Sequence, residues 1–223
     1  MPDGPVLALG DSISCGPDEG AFDVAPRVWA QWLAETLDLP FHRLARAGAL
    51  TPEIAAAFLP RLRDDYALAC VHVGTNDVRS VDWEPAPFER ALEQILGALA
   101  SRAARVCVAT LPLDLGRPRA GPKVGELNAI VRRLGSGSGA TILELDDLRG
   151  WRLLFPDAVH PTALGQLEIA ERAARALGIT PAPGSIAGAN RGVTADVRYG
   201  TTRQVAHLAR DIRRRLGDRL SAR

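Results

Sequence analysis

Five short apolar segments recur along this 223-residue chain, each separated from the next by a segment with helical periodicity. Continuous apolar runs of this length are typical of strands that are covered on both faces of a parallel sheet. We predict strands over residues 5–9, 41–45, 68–73, 105–111 and 141–145. Strands that alternate with helices favour an α/β fold in three layers, with helices on both faces of one parallel sheet.

The segments between the strands repeat apolar residues every three or four positions. One predicted helix carries Phe88, Leu92, Ile95, Leu96 and Leu99 on a single face. The last helix of the core covers residues 163–177, and Gly178 is its predicted stop because glycine readily adopts the left-handed conformation. Thr51 followed by Pro52 predicts a helix that begins with a threonine N-cap.

The chain divides unevenly in composition. We predict one core domain over residues 1–180, followed over residues 181–223 by a linker or crossover and a basic amphipathic helix. The segment 198–223 holds eight arginines against two aspartates, a net charge of +6. We expect this helix to pack on the same domain, while contact with a partner or with an anionic surface remains an open alternative.

The composition of the whole chain limits the classes of function. A net charge of +1 argues against nucleic acid as a partner, and the three cysteines lack the spacing of metal ligands. No apolar stretch reaches the length that crosses a membrane. Because Val6 already begins the first strand, the sequence shows no secretory signal, and we predict a cytoplasmic protein.

Residues with catalytic potential follow the predicted strands. The carboxyl ends of parallel strands meet at one edge of the sheet, where ligands bind in folds of this class. The residues that follow the first, second, third and fifth strands there are Gly10-Asp11-Ser12, Gly48, Gly74-Thr75-Asn76-Asp77 and Asp157-Ala158-Val159-His160. By chance, the three clearest of these motifs should occur together in on the order of a few chains in ten thousand.

These residues suit attack on an ester. Serine needs a base to remove its proton, and histidine is the usual base near neutral pH, so Ser12 and His160 form a candidate pair. Asp157, three residues before His160, can orient the imidazole ring. The oxyanion that forms needs fixed donors, for which the candidates are the backbone N–H groups of Ser12 and Gly48 and the side-chain amide of Asn76.

The same blocks resemble those of the SGNH hydrolases, also called the GDSL family: GDS at 10–12, glycine at 48, GTND at 74–77 and DAVHP at 157–161. The resemblance spans roughly residues 5–178. It implies a flavodoxin-like three-layer fold with strand order 2-1-3-4-5. It also implies a Ser12–His160–Asp157 triad that needs no metal or other cofactor, with Ser12, Gly48 and Asn76 as oxyanion donors. Ile13 replaces the leucine that often ends the first block.

The predicted function is therefore hydrolysis of a carboxylic ester or thioester through an acyl-enzyme on Ser12. The predicted substrate is a small acylated molecule, namely an ester, an O-acetyl sugar or a lysolipid. An acyltransferase with the same triad and a non-catalytic binder of acylated ligands remain alternatives.

Further residues stand close to the predicted site. The candidates for the pocket lining are Asp11, Cys15, Trp83 and Phe155. Bracing of a loop by Asp11, an inert Cys15 thiol and loop packing by the two aromatic side chains are the alternatives.

Overall fold

The computed structural model describes residues 3–187, and this part of the chain contains a five-stranded parallel sheet. Its strands lie in the order β2-β1-β3-β4-β5, which confirms the predicted order. They cover Val6–Gly10 (β1), Phe41–Ala45 (β2), Leu68–His72 (β3), Val106–Ala109 (β4) and Thr141–Leu143 (β5). The central strands β1 and β3 are buried along their whole length, in keeping with their continuous apolar sequence.

Helices cover both faces of the sheet, as the alternation of strands and helices predicts. They cover Ser12–Cys15 (α1), Trp29–Leu37 (α2), Thr51–Phe58 (α3), Thr75–Arg79 (α4), Pro85–Ala100 (α5), Lys123–Gly137 (α6), Ala163–Leu177 (α7) and Gly184–Ala187 (α8), with a 3₁₀ turn at Leu59–Arg61. Helices α2 and α7 pack together on one face, and α3, α5 and α6 pack on the other. The molecule therefore has the predicted three-layer α/β/α architecture.

Two apolar clusters fill the space between these layers. Successive residues of β1 alternate between them: Val6 and Ala8 face α2 and α7, whereas Leu7 and Leu9 face the other layer. This alternation follows from the two-residue period of a strand. A sheet buried on both faces leaves its strand ends, rather than its faces, for the binding of a ligand.

Boundaries differ from the sequence predictions by one or two residues at several strand ends. Helix α7 matches its predicted range, and Gly178 ends it in the left-handed conformation, with φ of 65°. The prediction of Thr51 as an N-cap is wrong, because α3 has Leu50 at that position and the Thr51 hydroxyl donates to Asp77 instead. Helix α8 falls inside the predicted linker, and the predicted basic helix lies outside the described residues, which end at residue 187.

Candidate active site

The turn after β1 presents Ser12 at the carboxyl edge of the sheet. Asp11 is the N-cap of α1 and accepts a hydrogen bond from the backbone N–H of Ile13 at 3.0 Å, so that Ser12 becomes the first helical residue. Gly10 allows this tight turn, because a Cβ atom there would collide with the backbone oxygen of His72 and the hydroxyl of Ser14. The strand and the short helix therefore fix the direction of the Ser12 side chain.

His160 and Asp157 lie next to this serine. The Ser12 hydroxyl is 2.9 Å from Nε2 of His160, and Nδ1 of His160 is 2.6 Å from Oδ2 of Asp157. Oδ1 of Asp157 accepts hydrogen bonds from the backbone N–H groups of Val159 and His160, at 2.9 and 3.1 Å. Burial raises the pKa of Asp157, but the hydrogen bond and charge of His160 and these two donors outweigh it and hold the pKa below its usual value.

Backbone hydrogen bonds shape the loop that carries these two residues. The N–H of Phe155 donates to the carbonyl of His160, and the N–H of Thr162 donates to the carbonyl of Leu153, both at 2.9 Å. Gly116 donates to Ala158 from a neighbouring loop at the same distance. The loop is thus pinned from both sides, which holds the imidazole ring toward Ser12.

Gly48 lies in the connection after β2 and Asn76 in the connection after β3, at the start of α4, and the two connections meet at the carboxyl edge of the sheet. Nδ2 of Asn76 donates to the carbonyl of Ala49 at 3.0 Å, which fixes the orientation of the amide and leaves its second N–H for another acceptor. Gly48 has a φ of 76°, a conformation that suits glycine. Within residues 3–187, the backbone N–H groups of Ser12 and Gly48 donate to no protein acceptor.

A buried contact between Asp77 of α4 and Thr51 of α3 joins the same two connections. The Asp77 carboxylate accepts from the Thr51 hydroxyl at 2.9 Å and from the Thr51 backbone N–H at 3.1 and 3.2 Å. Burial raises the pKa of Asp77 above its usual value, although both Thr51 donors counteract it. Because Asp77 follows Asn76 directly and Thr51 lies three residues after Gly48, this contact helps to set the distance between Asn76 and Gly48.

The structure places Asp11, one of the candidates for the pocket lining, inside the protein. Its side chain is completely buried, and Oδ2 has no hydrogen-bond partner among the described residues. Burial raises the pKa of Asp11 to about 6, against the opposing influence of the Ile13 N–H, of Thr75 and of the charge of His160. Asp11 therefore braces the turn from inside the protein.

The other candidates for the pocket lining make packing contacts. The Trp83 indole N–H donates to Glu126 at 2.9 Å, and its ring packs on Phe88. Phe155 is partly buried against the cluster on the α2 and α7 face. Cys15 is partly buried as a free thiol whose pKa is raised, mainly by burial. In the region the structure describes, no group of three His, Cys, Asp or Glu side chains could hold a metal ion.

Sequence reasoning missed two residues that connect the loops of this site. Thr51 belongs to a pattern that predicts a helix cap, and nothing local indicates its partner 26 residues away. Gln166 is fully buried in α7, where it contacts residues of α1 and α2. The sequence does indicate Gln166, because it is a polar residue on the otherwise apolar helix face that includes Ile169, Ala173 and Leu177.

Comparison with solved structures agrees with this architecture. An α/β hydrolase enzyme, LAE5, from the metagenome of Lake Arreo in Spain superimposes with a TM-score of 0.65 at 18% identity, covering 81% of this chain and 98% of LAE5. The acetylxylan esterase Axe2 from Geobacillus stearothermophilus gives 0.60 at 16% identity, with 80% and 97% covered. A lipase/acylhydrolase from Enterococcus faecalis gives 0.58 at 19% identity, with 77% and 94% covered. At these identities the similarity demonstrates the fold.

The fold and the residues at its edge define a three-layer α/β protein with a serine, a histidine and an aspartate in hydrogen-bond contact at the carboxyl end of its parallel sheet. The model of the GDSL-like lipase/acylhydrolase family matches residues 8–167, and the chain belongs to that family. It is accordingly a carboxylic ester hydrolase of the SGNH/GDSL type. No match was found among curated protein sequences. No helix within the described range is long and apolar enough to cross a membrane.

Proposed function

We propose that the protein hydrolyses its ester substrate through an acyl-enzyme on Ser12, with His160 as the base and Asp157 as the group that orients it. In the first half of the reaction Oγ of Ser12 bonds to the carbonyl carbon while its proton passes to Nε2 of His160. The bond to the leaving alkoxide then breaks, and His160 returns the proton to that oxygen. The single observation that carries this proposal is the 2.9 Å contact between Ser12 and His160, backed by Asp157 at 2.6 Å.

The second half repeats these steps with water. A water molecule gives a proton to His160 as its oxygen bonds to the acyl carbon, and the bond to Ser12 breaks as the proton returns to Oγ. The product is the free carboxylic acid. An acyltransferase differs only in the acceptor that replaces water, so the products distinguish the two reactions.

The negative charge that develops on the carbonyl oxygen needs fixed donors. We assign this role to the backbone N–H groups of Ser12 and Gly48 and to the second N–H of the Asn76 amide. The absence of protein acceptors for those two backbone groups among residues 3–187 supports the assignment. So does the hydrogen bond to Ala49, since it fixes the direction of the Asn76 amide before substrate binds.

The proposed substrate is a small acylated molecule. Axe2, which shares the fold, is described as an acetylxylan esterase, and this makes an O-acetylated sugar the first substrate to examine. A series of esters and thioesters of increasing acyl length, with acetylated sugars and a lysolipid included, separates the candidates. A sharp acetyl preference supports a deacetylase, and an optimum at long chains supports a lipase or thioesterase.

The mechanism is tested by the Ser12→Ala variant with p-nitrophenyl acetate as substrate. We expect the variant to fold normally and to lose turnover by several orders of magnitude, because the nucleophile is gone. Ser136→Ala, which changes an exposed serine of α6, is the matched control and should keep full activity. Unchanged turnover in Ser12→Ala would refute the acyl-enzyme proposal, and a wild-type protein that binds but never turns over esters would favour the non-catalytic binder.

A further inference from the structure

Gln166 connects the segment that carries the candidate nucleophile to the helix that follows the candidate base. Its side chain is 1% exposed. Nε2 donates to the carbonyl of Ile13 at 2.9 Å, and Oε1 accepts from the backbone N–H of Trp29 at 2.9 Å. Both ends of the amide are therefore engaged, and they join α7 to α1 and to the first residue of α2.

The contact with Ile13 completes the hydrogen bonding of a very short helix. Helix α1 has four residues, and its internal bonds use the carbonyls of Asp11 and Ser12. The carbonyl of Ile13, one residue after the nucleophile, is directed to Gln166 instead. Four residues are too few for a helix to hold its own orientation, so partners outside α1 must supply it. Asp11 does this at the start of α1, and Gln166 does it from α7.

The other end of this connection leads to His160. Helix α7 begins at Ala163, three residues after the imidazole, and its N-cap Thr162 accepts from Gly165 and donates to the carbonyl of Arg152. The start of α7 is thus held rigidly against the loop that bears the base. A displacement of α1 relative to α7 changes the distance between Ser12 and His160 directly.

We propose that Gln166 is a positioning residue, which sets the alignment of Ser12 with His160 by tying α1 to the start of α7. The inference rests on the proposed function, since it concerns the same serine and histidine. Misplacement of a reacting group by about 1 Å lowers rates by about 100-fold. Gln166 touches neither the substrate nor the reacting atoms, and it acts through the backbone of Ile13.

Two substitutions separate this role from a general contribution to folding. Gln166→Met has a similar length and Gln166→Leu a comparable volume, and each removes both hydrogen bonds, because neither side chain has an N–H donor or an oxygen acceptor. Leu177→Ala is the matched control, because it removes a buried side chain from the far end of the same helix. It destabilises the protein without touching α1.

The measurements are the second-order rate of Ser12 labelling by a fluorophosphonate, and kcat and KM for p-nitrophenyl acetate, at a temperature where circular dichroism shows each protein folded. We expect both Gln166 variants to be labelled about 10- to 100-fold more slowly, with kcat reduced in parallel and KM within about twofold of the wild type. Leu177→Ala should melt at a lower temperature and keep its labelling rate within about twofold.

Labelling of a folded Gln166 variant at the wild-type rate would overturn the positioning role. So would loss of rate in Leu177→Ala as large as in Gln166→Met, or failure of both Gln166 variants to fold, since Gln166 would then serve the fold as a whole. A wild-type protein that the fluorophosphonate does not label at Ser12 contradicts the proposed function itself, and this outcome is visible before any variant is made.

Discussion

Asp157 and Asp11 both lie beside the Ser12–His160 pair, and the protein shifts their pKa values in opposite directions. Asp157 accepts three hydrogen bonds, one of them from His160, and its pKa is held below the usual value. Asp11 accepts one hydrogen bond from Ile13 while completely buried, and its pKa rises to about 6. At Asp11 burial therefore outweighs the donors that face the carboxylate, whereas at Asp157, which is less completely buried, the donors outweigh burial.

This difference assigns different work to the two loops. An ionised Asp157 can hold the imidazole of His160 and stabilise its positive charge, which the proposed mechanism requires. Asp11 caps the helix that presents Ser12, and it does so from a completely buried position. The loop with Asp157 thus provides a negative charge next to His160, and the turn with Asp11 fixes the position of Ser12.

The largest expected effect comes from removing the negative charge of Asp157. In Asp157→Asn the amide cannot hold the imidazole in the required tautomer, and kcat/KM should fall by about 10³- to 10⁴-fold. Steady-state kinetics with p-nitrophenyl acetate measures the loss. Asp38→Asn, an exposed left-handed position that asparagine tolerates, should stay near the wild-type value. A decrease of less than tenfold in Asp157→Asn would show that Asp157 does not support His160.

The second expected effect concerns stability and isolates Asp11. Because the folded state binds the Asp11 proton more tightly than the unfolded chain, the contribution of Asp11 to the free energy of unfolding is fully present below about pH 4. It is lost as the pH rises through about 6, and the loss is on the order of 3 kcal/mol. Asp11→Asn removes this dependence, while kcat/KM should fall by less than tenfold because the amide oxygen can still cap α1.

Urea denaturation of the wild type and of Asp11→Asn between pH 4 and 8 provides the measurement. The difference between the two proteins is needed, since buried His72, with its pKa lowered to about 4, contributes a slope of the opposite sign. The variant should gain stability relative to the wild type as the pH rises from 4 to 7. A difference that is the same at every pH would contradict the raised pKa of Asp11.

The contrast between the two aspartates also marks what the sequence could predict. Apolar runs and helical spacing sufficed for the layers and for the range of α7, because these patterns reflect burial that is local to one element. The resemblance to a family supplied the strand order. The two GDS and DAVHP blocks indicated Ser12, Asp157 and His160, whose side chains the structure brings within hydrogen-bond distance.

Contacts between distant loops were not predictable in this way. The alternatives for Asp11 included bracing of a loop, but its complete burial depends on how β1 and β3 approach each other. Thr51 resembled an N-cap because the signal for a cap is local. The carboxylate that accepts its hydroxyl hydrogen bond belongs to Asp77, in the connection after a different strand. Gln166 bonds to Trp29, which lies 137 positions earlier in the chain, and to Ile13, which lies 153 positions earlier. A single sequence contains no measure of such distances.

The smallest expected effect concerns a third aspartate, Asp77, whose pKa is raised by burial as that of Asp11 is. Asp77 is buried like Asp11 but is faced by two donors of Thr51, and Thr51→Val removes one of them without changing the shape of the side chain. We expect a loss of about 2 kcal/mol in the free energy of unfolding near neutral pH, because the hydroxyl faces a charged acceptor. The loss should shrink toward pH 4, since the pKa of Asp77 rises further in the variant and protonation relieves the unpartnered charge.

The matched control is Thr36→Val. The Thr36 hydroxyl donates to a helix carbonyl, so its removal should cost no more than about 1 kcal/mol at any pH. Equal, pH-independent losses in the two threonine variants would mean that the Asp77 carboxylate does not depend on its donors.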